Sequence, residues 1–240
     1  MKSWTRTLNL DDAHTLLALA DKGRTLTSWS NACHTALPDL SPPRRRELIR
    51  ILRDQFLDWT SDRRVAEGLF LQTYMKAPAV AQLDLVDVQW ALSHPLTVLA
   101  TERLVAPALT RGDTKLPLSA VETFVGQHLV TDSAESLRKT RTVLLGAMEG
   151  VGTLATRGTG QHRSLAPARG SPHPIAYAYL LLRDLADRKI DAMFLAEAVE
   201  SSLPVRLTQC TVQHATFCLA EATRTGWLAQ DGDEVRAART

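Results

Sequence analysis

Residues 133–148, SAESLRKTRTVLLGAM, carry the side chains of this chain that are best suited to bind a polyanion. Placed on a helical wheel, these residues divide into an apolar side and a polar side. The apolar side consists of Leu137, Leu144, Leu145 and Met148, and the polar side of Arg138, Lys139, Thr142 and Gly146. Lys and Arg bind phosphates, and Arg and Thr also hydrogen-bond base edges. The pattern predicts a DNA recognition helix, and a solvated amphipathic helix without a ligand is the alternative.

A glycine-rich stretch, GVGTLATRGTGQHRSLAPARG, follows at residues 150–170. Its first glycines loosely match the dinucleotide fingerprint, but that fingerprint needs a strand before it and a helix after it. Here the predicted helix comes first, and no Gly-Lys-Ser or Gly-Lys-Thr phosphate loop occurs in the chain. The sequence therefore favours a β-hairpin over a nucleotide site.

The predicted hairpin has strands at residues 153–157 and 161–166, joined by a Gly-Thr-Gly turn in which glycine accepts a positive φ. Leu154 and Leu165 are expected to pack toward the core. The outward contact residues are then Arg157, Arg163 and, as a minor contact, His162. Two helices followed by a hairpin predict a winged helix-turn-helix.

A second basic stretch, RRRELIRILR at residues 44–53, has five Arg against one Glu. Three of these arginines share a stripe opposite the apolar residues of the predicted helix: Arg46, Arg50 and Arg53. The stripe is a candidate for a second phosphate-binding surface. A solvated face, or one paired with acidic neighbours, is the alternative reading.

Metal and catalytic chemistry find little support in the sequence. Cys210, His214 and Cys218 share one helix face, but the outer two lie about 12 Å apart along a helix. That distance is too long for one tetrahedral zinc ion. No recognisable set of acid, base and nucleophile occurs, so we expect a protein without catalytic activity, cofactor or metal.

The elements that position these residues are mostly helices. Short apolar-periodic segments that end at proline predict an N-terminal helical bundle at residues 1–110. The winged helix-turn-helix is expected at 111–174, and C-terminal helices with an Asp-Gly hairpin at 175–240. No repeat has a fixed period, although the order helix, glycine, hairpin occurs at 133–166 and again at 208–237. The fold class is therefore mainly α.

Composition and charge indicate the environment in which the protein is expected to fold. The chain has 240 residues, of which 45% are apolar, so it can form a packed core. The net charge is only +2, and residues 133–173 concentrate six Lys/Arg against two Glu. The absence of an apolar run of about 20 residues and of a signal-peptide core leads us to expect a cytoplasmic protein without a membrane partner. Three cysteines make a disulfide framework improbable.

Three stretches together resemble the BrxA proteins of BREX phage-defence systems. Residues 83–109 resemble the middle segment of that family, an aliphatic helix that ends at a proline before another helix. Residues 133–154 resemble its Ser/Thr-Lys/Arg helix that runs into Gly-x-Leu, and residues 44–57 its Arg-rich N-terminal helix. These stretches lie within residues 44–154, a range that spans about half of the chain.

The resemblance implies a small, nearly all-helical, non-enzymatic protein that binds double-stranded DNA beside methyltransferase, ATPase and phosphatase-like subunits of a defence complex. The DNA-facing residues carried over are Arg138, Lys139, Thr142, Arg157 and Arg163. Two alternatives stay open. One is an interaction module that presents the winged helix or the apolar helices at 175–200 to another protein. The other is a transcription regulator, which needs a dimer and palindromic half-sites.

Overall fold

A computed structural model describes residues 9–130, 133–155, 162–165 and 172–238. These residues are mainly helical and include two small antiparallel sheets, which confirms the predicted mainly α class. They form two compact units, which meet in the sequence between Ser93 and His94. The predicted three-part division at residues 110 and 174 and the winged helix-turn-helix arrangement stay predictions.

The first unit contains five helices. They are α1 (Leu10–Leu17), α2 (Leu26–Ala36), α3 (Pro42–Gln55), α4 (Leu69–Lys76) and α5 (Ala79–Leu92). Side chains cap the first two, because the Asn9 amide oxygen accepts from Asp11 N at 3.1 Å and the Thr25 hydroxyl from Ser28 N at 3.2 Å. The core residues of this unit include Trp29, Leu48, Leu52, Tyr74 and Leu85, all nearly inaccessible to solvent.

The second unit begins with helices α6 (Pro95–Ala100) and α7 (Ala106–Thr110), separated by a π-helical turn at Thr101–Val105. Strand β1 (Lys115–Pro117), helices α8 (Leu118–His128) and α9 (Ala134–Gly150), and strand β2 (His162–Ser164) follow. β1 and β2 pair antiparallel, with Leu116 opposite Arg163. One apolar cluster unites α6 through α9 with β1 and includes Leu154 and Leu165.

A similar order, with one additional helix, then occurs a second time. Helix α10 (Pro174–Arg188) leads to β3 (Ala192–Phe194), and helices α11 (Leu195–Glu200), α12 (Leu203–Thr208) and α13 (Val212–Arg224) follow. Strands β4 (Leu228–Asp231) and β5 (Glu234–Ala237) complete a three-stranded antiparallel sheet in the order β3-β5-β4. A second apolar cluster unites these elements. In the turn between β4 and β5, Gly232 has a φ of 59°, so the Asp-Gly hairpin read from the sequence is present.

The glycine-rich region differs from its prediction in one respect. Leu154 and Leu165 form an antiparallel bridge and are buried, as expected from the sequence. The main partner of β2, however, is β1, a strand that the sequence analysis did not predict. The predicted turn at 158–160 lies outside the described residues.

Candidate nucleic-acid interface

Helix α9 is built as its sequence pattern predicts. The Ser133 hydroxyl caps its start by accepting from Ser136 N at 3.3 Å. Its inner side packs into the apolar cluster through Leu144, Leu145 and Met148, with Leu137 half-buried beside them. Arg138 and Thr142 lie one turn apart on the exposed side of the helix. The position of the helix in the core therefore fixes which side chains face solvent.

The three predicted contact residues of α9 differ in how available they are. Arg138 is exposed and forms no ion pair with any described residue. Lys139 lies 2.5 Å from the Glu135 carboxylate, one turn earlier, and this contact lowers the pKa of Glu135. The Thr142 hydroxyl donates to the Arg138 carbonyl at 3.0 Å. Arg138 is thus the cation of this helix that is best placed to meet an external anion.

Two further arginines, one within α9 and one on β2, contact carboxylates of neighbouring segments. Arg141 is paired with Glu122 of α8. Arg163 of β2 has its Nε 3.4 Å from the Glu149 carboxylate at the end of α9, and its side chain is only 22% exposed. The prediction that Arg163 faces outward therefore needs a correction. Residues two apart on a strand share a face, so Arg163 lies on the same side as the buried Leu165, against Glu149 of α9. The acidic partners Glu122 and Glu149 were not singled out from the sequence, because they lie outside the basic pattern.

The structure describes only some of the remaining residues of the predicted wing. His162 is exposed on β2, opposite Pro117 of β1. Arg157 lies outside the described residues. Lys115 of β1 is an exposed cation that sequence reasoning did not select. It lies opposite Ser164 of β2. The two-stranded sheet of β1 and β2 therefore presents an exposed basic side chain.

The arginine stripe of α3 belongs to the first unit. Arg46 and Arg50 are exposed, whereas Arg53 is partly buried and forms a two-bonded pair with Asp54 at 2.6 and 3.0 Å. Arg45 has a structural role that the sequence did not reveal. Its guanidinium donates to the carbonyls of His34, Pro38 and Leu40 at 2.6 to 3.1 Å. The stripe is therefore reduced to Arg46 and Arg50 as exposed candidates for phosphate contact.

The Cys210, His214 and Cys218 face is largely buried. Cys218 Sγ lies 3.2 Å from His214 Nε2 and 3.4 Å from the Pro172 carbonyl oxygen. Burial raises the pKa of the Cys218 thiol to about 12, so this sulfur is held as a neutral thiol. Across the described ranges, no group of three or more His, Cys, Asp or Glu side chains is placed to hold a metal ion.

No helix in the described part of the chain combines the length and the apolar character that crossing a membrane requires. The chain matches no protein-family profile, no curated protein and no solved structure.

Proposed function

We propose that the protein binds double-stranded DNA without catalysing a reaction, and that residues 115–165 form the contact surface. The observation that carries this proposal is the outer side of α9, where Arg138 is exposed and unpaired among the described residues and Thr142 lies one turn away. A helix that is anchored on one side by an apolar core and cationic on the other is suited to lie against a duplex.

The arrangement around α9 supports reading this region as a winged helix-turn-helix. α8 and α9 are consecutive helices that share one apolar cluster, and α9 leads into the Leu154–Leu165 bridge. β1 precedes α8 and pairs with β2 after α9. In helix-turn-helix proteins the second helix of the pair lies in the major groove, while flanking segments contact the backbone. By this analogy α9 is the recognition helix, and Lys115, Arg157 and His162 are backbone contacts.

The charges favour weak, sequence-tolerant binding. Lys139, Arg141 and Arg163 each have a carboxylate partner, so part of their charge is neutralised before DNA arrives. The whole chain has a net charge of only +2. Phosphate contacts position a protein on DNA but carry no base information. We therefore propose that stable binding requires additional subunits, as the resemblance to the BrxA proteins of phage-defence systems implies.

The proposal is tested by fluorescence anisotropy with a labelled duplex of random sequence, titrated at several salt concentrations. Affinity is expected to fall steeply as salt rises, because bound phosphates release counterions. Arg138→Ala is expected to weaken binding several-fold and to reduce the magnitude of the salt slope by about one.

Arg224→Ala is the matched control, because Arg224 is an exposed arginine of α13, paired with Glu221 at 2.7 Å. It is expected to leave DNA affinity nearly unchanged. Equal losses for Arg138→Ala and Arg224→Ala would contradict the assigned surface. Absence of binding at the lowest salt concentration would contradict DNA binding altogether.

A further inference from the structure

Helices α9 and α13 occupy equivalent places in the two repeats of the second unit. Each begins at a hydroxyl cap, Ser133 accepting from Ser136 N and Thr211 from His214 N. Each is followed by a glycine with positive φ, Gly152 at 77° and Gly226 at 76°. After each helix the chain forms a hairpin-like pairing, Leu154 with Leu165 and β4 with β5, and its second arm pairs with the strand before the helices, β2 with β1 and β5 with β3. Positions on the two helices can therefore be matched by counting from the caps.

The side chains at the matched positions differ in charge, because α9 has cations there and α13 has none. The fifth, sixth and ninth residues after the cap are Arg138, Lys139 and Thr142 on α9. On α13 the same places hold Thr216, Phe217 and Ala220. All three α13 residues are exposed, and Phe217 shows 52% of its surface to solvent. The helix that corresponds to the proposed recognition helix thus has no cation at these three places.

Apolar surface extends from α13 onto the adjacent elements. Val212 at the start of α13 is 52% exposed, and Phe194 at the end of β3 is 64% exposed. A cavity of about 480 Å³ lies beside Phe194. It is lined by Phe194, Leu195, Ala196, Val199, Thr216 and Asp233. Its volume is within the range of about 300–1,000 Å³ typical of pockets that receive ligand groups, so it has room for bulky apolar side chains.

The rim of this cavity is acidic. Asp233 lines it, and Glu234 follows at the start of β5; both are exposed, and neither is ion-paired with a described residue. The nearest arginines on these elements are engaged, Arg224 with Glu221 and Arg236 with Asp231. Residues 172–238 hold nine Asp/Glu against six Lys/Arg. An anionic rim repels phosphate and attracts cations.

We infer that the cavity between α11 and α13 is a docking site for a segment of a partner protein that places a bulky apolar side chain in the cavity and Lys or Arg beside Asp233 and Glu234. The apolar lining supplies burial energy, and the acidic rim selects a basic flank. Val212 and Phe217 are further exposed apolar side chains of α13 that lie outside the cavity lining, which suits a peptide segment better than an enclosed small molecule. This site does not depend on DNA binding by α9.

The inference is tested with a phage-displayed library of random short peptides selected on the immobilised full chain. Enriched peptides are expected to combine a bulky apolar residue with neighbouring Lys or Arg. They are then synthesised with a fluorophore, and their affinity is measured by anisotropy. No enrichment, or enrichment of acidic peptides, would overturn the inference.

Two threonines provide a matched pair of variants. Thr216 and Thr142 are both exposed, and each hydroxyl donates to the carbonyl four residues earlier, at 2.8 and 3.0 Å. Thr216→Glu is expected to weaken peptide binding at least tenfold, because it places a carboxylate against the apolar side chain in the cavity. Thr142→Glu is expected to leave peptide binding unchanged. Equal peptide affinity for the two variants would overturn the site.

The acidic rim has its own test in the double variant Asp233→Lys with Glu234→Lys. Both side chains are exposed, so folding should persist, and circular dichroism checks it. Affinity for the selected basic peptides is expected to fall at least fivefold, with recovery when the peptide Lys residues are replaced by Glu. If the double variant still preferred basic peptides to acidic ones, the proposed role of the rim would be contradicted. DNA titrations of the same variants report separately on the proposed function of α9.

Discussion

Glu149 at the end of α9 lies 3.4 Å from Arg163 of β2, both side chains being largely shielded from solvent. This ion pair connects the proposed recognition helix to the strand that follows it. It also places a negative charge beside an arginine that the sequence pattern assigns to DNA. Glu149 therefore limits the positive potential of this surface.

Replacing Glu149 by Gln is expected to strengthen DNA binding about two- to fivefold at low salt, because one repulsive charge is removed and Arg163 keeps its own. The measurement is the same anisotropy titration with a random duplex. Glu200→Gln, a change at an exposed glutamate of α11, is the control for net charge alone. A gain of the same size for both variants would show that Glu149 has no local effect.

The carboxylate of Asp184 on α10 holds the start of α12. It is buried, accepts from Leu203 N at 2.7 Å and lies 3.7 Å from Arg206. Asp184→Ala is expected to cost about 2–4 kcal/mol of unfolding free energy, because it removes a charged hydrogen bond and leaves a buried N–H unpaired.

Urea unfolding monitored by circular dichroism measures the loss of unfolding free energy caused by Asp184→Ala. Asp187→Ala on the same helix is the control, since its pair with Arg183 is exposed. That variant should change stability by less than about 0.5 kcal/mol. Similar costs for the two variants would rule out a special role for Asp184.

The three cysteines should be slow to react in the folded protein. Cys33, Cys210 and Cys218 are all buried, and burial raises the pKa of Cys33 and of Cys218 to about 12. Since the thiolate is the reactive form, titration with a chromogenic disulfide reagent at mildly alkaline pH should detect these thiols only after guanidinium chloride is added. Rapid reaction in native buffer would show that a thiol is accessible.

Asp87 of α5 should make the protein less stable as pH rises toward neutrality. Burial, reinforced by the nearby Asp84 carboxylate, raises the pKa of Asp87 from 3.8 to about 7. Between these values the folded state binds the proton and the unfolded state does not, so the unfolding free energy falls as pH increases. The decrease attributable to this group is at most about 4 kcal/mol.

Asp87→Asn should remove this dependence and raise the melting temperature near neutral pH, where wild-type Asp87 becomes ionised. Thermal melts at several pH values across the acidic range measure how the melting temperature of each protein depends on pH. Asp58→Asn, at an exposed aspartate of the same unit, is the control for the loss of one carboxylate. A profile that is the same in all three proteins would contradict the assignment to Asp87.

Local sequence patterns determined much of the helical architecture. The apolar spacing in α9, the Ser133 cap and the inward positions of Leu154 and Leu165 follow from periodicity and capping within a short window of sequence. The Asp-Gly turn before β5 is equally local, since glycine alone tolerates its backbone geometry without strain. The mainly α class and the outward position of Arg138 could therefore be predicted from the sequence.

Tertiary structure decided which of the basic residues face a free surface. The pairing of β1 with β2, the contact of Arg141 with Glu122 and that of Arg163 with Glu149 join segments that are distant in sequence. The cavity beside α13 likewise requires side chains from three elements. Periodicity specifies the side of a helix that is buried, but it does not specify which neighbour covers that side. Charge pairing and cavity shape depend on those neighbours, so only the folded arrangement shows which basic side chains lack a carboxylate partner and where a cavity forms.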